Sequence, residues 1–270
     1  MAYEITASNI SLPERKRDSH KGNYGRVLLM CGCEKYTGAA FFSAQAAVNS
    51  GSGLVFLSVP DKIRSVLASK LNEPIIINRK TPKFHPDATL LGCGIGISRK
   101  SALLVRSALS VKGSPLILDA DGITLAARMN SDLSRVPRSL ILTPHEGEFQ
   151  RLVPDFDRER RLEFASNFAK KNKCVLVLKG HRTITAASSG EIYINTTGNP
   201  GMAKGGSGDI LAGIITSLIG QGIPEICAAY TGVWLHGMAG DLAAEKYGEY
   251  GMTPTDMLCN LKSVIRQVQA

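Results

Sequence analysis

The sequence has few aromatic residues, no closely paired cysteines and no long apolar run. Aromatic side chains make up 6% of the 270 residues, with one tryptophan. Proteins that bind single-stranded nucleic acid typically have a basic stretch interleaved with aromatic residues, and this sequence has none. No apolar run is long enough to span a bilayer. We therefore expect neither a nucleic-acid nor a membrane partner.

The cysteine spacing excludes the common zinc and redox motifs. The six cysteines are Cys31, Cys33, Cys93, Cys174, Cys227 and Cys259. No two of them are separated by two residues, which is the spacing that zinc and redox motifs use. Isolated thiols in apolar segments are typical of a reducing compartment. The first eight residues have neither the basic start nor the apolar core of a signal peptide. These features predict a cytoplasmic protein.

The rest of the composition is that of a globular protein with an anionic ligand. Hydrophobic residues make up 44% and charged residues 20%, which is ordinary for such a chain. The net charge of +9 favours an anionic partner. Because nucleic acid is disfavoured, a small phosphorylated molecule is the better candidate.

Strand and helix patterns alternate along the chain. Residues 1–24 are polar and of mixed charge, which predicts a mainly solvated segment. Apolar strand patterns cover 26–31, 54–59, 75–77, 88–92, 115–119, 140–142 and 174–178, and most are separated by helical patterns. A hairpin is predicted from 183–187 and 191–194, and two helices follow at 225–247 and 253–268. This order predicts one α/β domain over residues 1–270, with a mainly parallel sheet.

A glycine-rich stretch at residues 196–213 leads into an apolar helical pattern. Glycines let the backbone approach a phosphate closely, and the first turn of a helix offers unpaired N–H groups with about half a positive charge. The stretch therefore predicts an anion site, although no Gly-Lys-Ser/Thr closes it as in a P-loop. Asp209 lies at the positive end of this helix, where its ionised form should be favoured.

Asp209 is open to two interpretations. Asp is a preferred N-cap residue, so the side chain could simply start the helix. Alternatively, it could accept the proton from a hydroxyl that attacks a phosphoryl group, as carboxylates do in kinases. The Gly-Gly-Ser-Gly approach and the preceding Lys204 favour the second interpretation.

Charged residues also follow several predicted strands. Asp119 and Asp121 could hold Mg²⁺ through water or form a helix cap and its turn, and their spacing does not distinguish the two. The Gly-x-Gly-x-Gly run at 92–96 is followed by Ile97, so the dinucleotide fingerprint is not met. Lys179 ends an apolar strand and places a cation at the rim of the sheet.

A proline and two acidic residues follow the strand at 140–142. Pro144 fits the first helical position, which would place Glu146 and Glu148 in the first turn, where carboxylates are favoured without any function. His145, which lies between Pro144 and Glu146, would usually be a loop residue. These residues indicate a site only together with others.

In this order, the motifs resemble those of the NAD(P)H-hydrate dehydratases, a family that also forms the C-terminal half of bifunctional epimerase/dehydratase proteins. The resemblance runs from His20 to the end of the chain. It rests on Lys21-Gly22-Asn23-Tyr24-Gly25, Thr37-Gly38-Ala39-Ala40, Leu118-Asp119-Ala120-Asp121, residues 142–148, Leu178-Lys179-Gly180 and residues 199–209. Glu146 departs from the family's usual proline, which should alter the turn without removing the site.

The resemblance implies a ribokinase-like fold, with three α/β/α layers around a mainly parallel sheet. It implies an enzyme that uses ADP or ATP to convert the (6S) hydrate of NADH or NADPH back to the intact cofactor. Stand-alone members are usually ADP-dependent, and relatives form tetramers, so a homotetramer is implied. The C6 hydroxyl of the hydrate is a poor leaving group. Its phosphorylation would allow the ring nitrogen to expel phosphate.

The resemblance also implies a role for each site residue. Asp209 would be the catalytic base, and the hydrate would contact Asp209 together with Ala39, Gly94 and His145. The nucleotide would bind through Lys179, Gly180, His181, Arg182, Thr183, Gly205, Gly206, Ser207 and Gly208. Mg²⁺ would bridge the phosphates, with Glu148 as the nearest ligand candidate and the Asp119-Ala120-Asp121 run contributing.

Two other functions fit part of the pattern. A ribokinase-like kinase of a small alcohol or vitamin precursor would share the sheet and the glycine-rich loop. By resemblance, such kinases carry Asn where this chain has His145, which favours the dehydratase. A module that senses adenine nucleotides without turnover is disfavoured by the intact Asp209. Neither the choice of ADP or ATP nor the preference for NADH or NADPH hydrate can be deduced from the sequence.

Overall fold

The computed structural model describes residues 2–10, 12–79 and 84–269; Met1, part of the N-terminal run above, lies outside them. These residues form one sheet of ten strands: β1 (Ala2–Ile5), β2 (Arg26–Met30), β3 (Leu54–Val59), β4 (Ile75–Asn78), β5 (Ala88–Leu91), β6 (Leu116–Leu118), β7 (Leu140–Leu142), β8 (Val175–Leu178), β9 (Ile184–Ala186) and β10 (Ile192–Asn195). Their order is β1-β10-β9-β8-β7-β6-β5-β2-β3-β4. Only β9 is antiparallel to its neighbours.

Helices cover both faces of the sheet. In the described residues they are α1 (Thr37–Asn49), α2 (Asp61–Ala68), α3 (Arg99–Ser110), α4 (Asp121–Arg128), α5 (Glu146–Leu152), α6 (Arg161–Asn172), α7 (Ser207–Gly220), α8 (Glu225–Gly251) and α9 (Pro254–Gln269). Leu116 and Leu118 belong to a core cluster that contains buried residues of α3 to α6, whereas Ile117 belongs to a second cluster with buried residues of α1, α2 and α7 to α9. This alternation is typical of strands buried on both faces. The predicted three-layer α/β/α architecture is confirmed.

Helix α7 continues the glycine-rich stretch into the core. Twelve of its 14 residues are buried, as expected for a helix that is apolar on all sides. A Cβ at Gly213 would lie 2.3 Å from the Ser43 carbonyl oxygen, so α1 and α7 are in close contact. Neither α7 nor any other helix among the described residues combines the length and hydropathy needed to cross a bilayer.

The N-terminal segment differs from its prediction. Residues 2–5 were expected to be solvated, but β1 pairs in parallel with β10 at the edge of the sheet. Three of its four side chains are exposed, so no apolar alternation marks the strand in the sequence. The hairpin prediction is confirmed, because β9 and β10 pair antiparallel.

The carboxyl ends of five parallel strands meet at one edge of the sheet. The residues that directly follow β2, β5, β6, β7 and β8 are Cys31, Gly92, Asp119, Thr143 and Lys179. Open α/β sheets bind their ligands at this edge. The fold therefore brings together residues that lie far apart in the sequence.

Candidate active site

A buried ion pair lies at the centre of this edge. Lys179 Nζ lies 2.8 Å from Asp119 Oδ1, and the same oxygen accepts a 2.8 Å hydrogen bond from Thr143 Oγ1. Glu148 Oε2 is 4.0 Å from the Lys179 nitrogen. Burial lowers the pKa of Lys179, but the charges of Asp119 and Glu148 outweigh it, so the net pKa is raised. Lys179 is therefore a fixed cation at neutral pH.

The glycine-rich loop comes close to this cation at the start of α7. Gly206 is the N-cap with φ +108°, and a Cβ there would lie 2.7 Å from the Phe42 ring. A Cβ at Gly208 would lie 3.4 Å from Lys179 Nζ. The lack of side chains at both positions allows the first turn of α7 to lie directly against Lys179. Gly205 is exposed and Ser207 is buried beside it.

Asp209 lies in the first turn of α7 and is not its N-cap, because Gly206 takes that position. The capping interpretation was therefore wrong. One oxygen of Asp209, one of Asp119 and the sulfur of Cys93 lie within 4.8 Å of one another. Cys93 Sγ also lies 3.4 Å from Asp119 Oδ2, to which it donates. The carboxyl of Asp209 thus faces a compact polar cluster beside Lys179.

The pKa of Asp209 is raised to about 7. Burial is the largest cause, followed by the charge of Asp119, whereas the neighbouring Cys93 thiol and the charge of Lys179 lower the pKa. The sequence-based expectation that the helix end would favour the ionised form is therefore wrong. Desolvation and a second carboxylate outweigh a helix dipole of about half a charge.

His236 of α8 holds the first residue of α7. Its Nε2 lies 2.9 Å from the Ser207 carbonyl oxygen and 3.1 Å from Ser207 Oγ. Because a carbonyl only accepts, this nitrogen must carry the proton, and the hydroxyl hydrogen of Ser207 stays available to a ligand. Burial lowers the pKa of His236 to about 4, which keeps the imidazole neutral. The position of His236 in the helical pattern of α8 gave no sign of this role.

Two further contacts fix the loop to α8. Asp241 accepts hydrogen bonds from the Gly198 amide at 2.8 Å and from Asn199 Nδ2 at 2.9 Å. Lys204 Nζ donates to the carbonyl oxygen of Tyr250 at 2.8 Å and also to that of Met252. Lys204 was taken as support for a phosphate site, but its ammonium is engaged by the end of α8. Its contribution is structural.

Ala39 of α1 and Gly94, which follows β5, lie next to each other in the fold. A Cβ at Gly94, whose φ is +62°, would lie 2.7 Å from the Ala39 Cβ. The predicted hydrate-binding pair is therefore a pair of neighbours in space. Asp121 contacts the same loop as Gly94, because its Oδ2 accepts a 2.8 Å hydrogen bond from the Gly96 amide. Asp121 is the first residue of α4, whose N-cap is Ala120, so its side chain holds the 92–96 loop and does not cap the helix.

His145 is the N-cap of α5, and the helix begins at Glu146, so Pro144 is not its first residue. The His145 ring accepts from the Glu148 amide at 3.2 Å, and Glu148 Oε2 accepts from the His145 amide at 2.9 Å. Glu148 Oε1 lies 3.4 Å from His145 Nε2. The Glu148 side chain is 8% exposed, so few of its oxygen lone pairs are open to a direct metal bond.

A cleft of about 430 Å³ opens beside Lys179. It is lined by His145, Glu146, Gly147, Arg158, Arg161, Lys179, Gly180 and His181. Asp209 is not among these residues, and Lys179 is the side chain that both regions share. Thr183 Oγ1 donates to the Gly180 carbonyl at 3.0 Å and closes the turn that carries His181. Arg182 is directed elsewhere and pairs with Glu4 of β1 at 2.5 Å.

The structure thus places Lys179 with Gly208 and Asp209, and Ala39 with Gly94. His145 lines the cleft and contacts the buried Glu148, while Arg182 pairs with Glu4 at the edge of the sheet. Sequence reasoning did not consider Arg158, Arg161 and His236. Arg158 and Arg161 lie in an Asp-Arg-Glu-Arg-Arg run whose charges resemble those of any solvated segment.

Together, the sheet order, the buried helix behind a glycine-rich loop and the carboxylate in its first turn define a ribokinase-like α/β protein. The model of the NAD(P)H-hydrate dehydratase family matches residues 27–263, and the chain belongs to that family.

Relatives and solved structures give the same result. The chain is 40% identical to a bifunctional NAD(P)H-hydrate repair enzyme of Moorella thermoacetica, over 96% of this chain and 52% of that protein. It is 34% identical to an ADP-dependent (S)-NAD(P)H-hydrate dehydratase of Enterococcus faecalis, over 90% and 85%. An ADP/ATP-dependent dehydratase of Bacillus subtilis co-crystallized with ATP/Mg²⁺ superposes with a TM-score of 0.88 at 27% identity, over 97% of both chains. The chain spans about half the length of the bifunctional relatives. The Enterococcus and Bacillus proteins carry the name of dehydratases, which disfavours the kinase alternative.

Proposed function

We propose that this chain is an ADP- or ATP-dependent dehydratase that repairs the (6S) hydrate of NADH or NADPH. The observation that carries the proposal is the Asp209 carboxyl in the first turn of α7, with a pKa of about 7 and beside the cationic Lys179. A carboxyl with this pKa is ionised in a large fraction of molecules at neutral pH, yet it is basic enough to take a proton from an alcohol. The names of the relatives supply the substrate class.

In the proposed reaction, Asp209 accepts the proton of the C6 hydroxyl as the hydroxyl oxygen bonds to the terminal phosphorus of ADP. The phosphoanhydride bond breaks and AMP leaves. The lone pair of the ring nitrogen then breaks the C6–O bond and expels phosphate, and loss of the C5 proton restores the double bond. The amides from Gly205 to Gly208 and the Ser207 hydroxyl would stabilise the phosphoryl charge, with Ala39, Gly94 and His145 against the hydrate.

Magnesium fits the donor set that surrounds Lys179. Asp119, Glu148 and Asp209 offer carboxylate oxygens, and Mg²⁺ usually binds through one or two carboxylates, retained waters and substrate phosphates. Glu148, which is buried and engaged by His145, suits contact through water. When bound, the ion would neutralise phosphate charge. We further propose that residues 1–270 act as one domain in the cytoplasm and assemble as a homotetramer, for which the resemblance of the sequence is the support.

The decisive assay supplies the purified protein with hydrated NADH and either ADP or ATP. We expect the near-ultraviolet absorbance of the dihydronicotinamide to return, with one AMP or ADP formed for each cofactor repaired. Omission of the nucleotide should abolish the signal. Nucleotide consumption without recovery of absorbance, or recovery without a nucleotide, would contradict the proposal.

The rate should fall steeply in mild acid. Asp209 must be ionised to accept a proton, so kcat/KM should rise with pH through a midpoint near 7 and decline about tenfold per pH unit well below it. The measurement is kcat/KM between about pH 5.5 and 8.5 at constant ionic strength. An acid limb centred near the ordinary aspartate pKa would show that Asp209 is not the group that titrates.

A further inference from the structure

The guanidinium of Arg161 in the cleft uses one nitrogen, Nη1, in a hydrogen bond, whereas the edge formed by Nε and Nη2 is unused. Nη1 donates to the His181 carbonyl at 2.8 Å. Among the described residues, neither Nε nor Nη2 has a hydrogen-bond partner, although both atoms are buried. Glu146 Oε1 lies 3.7 Å from Nε, too far for a hydrogen bond. Buried donors are rarely left unpaired because their desolvation is unfavourable, so this edge indicates a missing acceptor.

The unused edge has the geometry of an oxyanion receptor. Nε and Nη2 present two parallel N–H groups, the fork with which arginine binds carboxylates and phosphates in a bidentate manner. Gly180 lies against this fork, because a Cβ there would be 3.0 Å from Nη2. Lys179 and His181 line the same cleft. The region is therefore cationic and has room where a larger residue than glycine would fill it.

Glu146 occupies the approach to this fork. Its Oε2 lies 2.6 Å from Arg158 Nε, while its Oε1 lies 3.7 Å from Arg161 Nε. The Glu146 side chain is 19% exposed, whereas that of Arg158 is 79% exposed. Arg158 can thus follow the carboxylate outward into solvent.

We propose that Arg161 binds a phosphate of the adenine nucleotide through Nε and Nη2, and that Glu146 is an internal anion that withdraws with Arg158 when the phosphate enters. This inference rests on the proposed function and adds two residues to its nucleotide site. Arg161 contacts the ligand, and Glu146 regulates access to it. The exchange makes and breaks no covalent bond, and the charge beside Arg161 stays balanced in both states.

The test is calorimetric titration of the full chain with ADP and, separately, with adenosine. Arg161→Gln should weaken ADP binding about tenfold or more, since a charge-assisted bidentate contact is lost, and should leave adenosine binding unchanged. Arg160→Gln is the matched control, because Arg160 is exposed and pairs with Glu163 on the neighbouring turn; ADP binding should be unchanged. Glu146→Gln should strengthen ADP binding several-fold, because a competing anion is removed.

A second variant protects the test against misfolding. Arg161→Lys keeps the charge without the fork, so it should fold even if Arg161→Gln does not, and should bind ADP several-fold more weakly than the parent chain. If the Arg161 variants lost equal affinity for ADP and for adenosine, Arg161 would only stabilise the 180–183 turn, and the inference would be overturned. Unchanged ADP binding in these variants would also overturn it. A parent chain that binds neither ADP nor ATP would overturn the proposed function itself, whereas parent binding with unaffected variants overturns only this inference.

Discussion

Asp209→Asn is expected to reduce turnover by about a thousandfold or more while leaving nucleotide affinity nearly unchanged. Removal of a general base costs roughly 10² to 10⁴ in rate, and an amide cannot accept the hydroxyl proton. The glycine loop and the first-turn amides remain, because Gly206 and not Asp209 caps α7. The measurement is a single-turnover reaction with hydrated NADH and ADP, together with ADP binding by calorimetry. Asp132→Asn, at an exposed carboxylate paired with Arg135, is the control.

The same variant should be more stable than the parent chain above neutral pH. The folded pKa of Asp209, about 7, exceeds its ordinary value of 3.8, so the folded state binds more protons and stability falls as the pH rises between these values. Asn removes this penalty, which is on the order of 1 to 2 kcal/mol for a partly exposed group. A variant with full turnover, or one that loses turnover only because it unfolds, would contradict the assignment.

Lys179→Met should have the largest effect on stability. It leaves Asp119, whose side chain is 2% exposed, without its cation, and breaking a buried pair costs about 3 to 5 kcal/mol. Turnover should also fall by about 10² or more, because Lys179 is the cation nearest the cradle at Gly208. The measurements are urea unfolding at neutral pH and the single-turnover rate.

A double-mutant cycle provides the control for this prediction. Asp119→Asn alone removes the carboxylate, and the pair Asp119→Asn with Lys179→Met removes both charges, so the double variant should recover about 2 kcal/mol or more of the loss. Turnover should not recover with stability, because the cation stays absent. Strictly additive losses would show that the two side chains are not energetically coupled.

The strands were predictable because most are buried on both faces. Continuous apolar runs such as the one ending at Leu178 identify parallel strands, and the glycine-rich stretch identified α7. β1 was not predicted, because an edge strand with three exposed side chains lacks any continuous apolar run. Local signals locate the core, whereas an edge strand is defined by the β10 backbone on which it pairs.

The sequence motifs supplied candidate site residues but not the energetics of their side chains. The motifs named Asp209, Lys179 and His145, yet the pKa of Asp209 is raised by its burial in the fold and by the charge of Asp119, 90 residues earlier in the chain. Lys204 is an example of a wrong prediction from position. Its place in the loop suggested a phosphate contact, but its ammonium donates to a carbonyl oxygen of α8. Charge interactions across a sheet edge depend on distances that no sequence spacing reports.

The loop before α7 contains four glycines between residues 196 and 206, and such a segment would ordinarily lose much backbone freedom on ordering. Here that entropy is already lost in the absence of any ligand, because Asp241, His236 and Lys204 tether the loop to α8 and its end. A phosphate therefore meets a rigid receptor. Amide hydrogen exchange in the loop should be about as slow in the free protein as in the saturated one, and the enthalpy of ligand association should carry little contribution from loop folding.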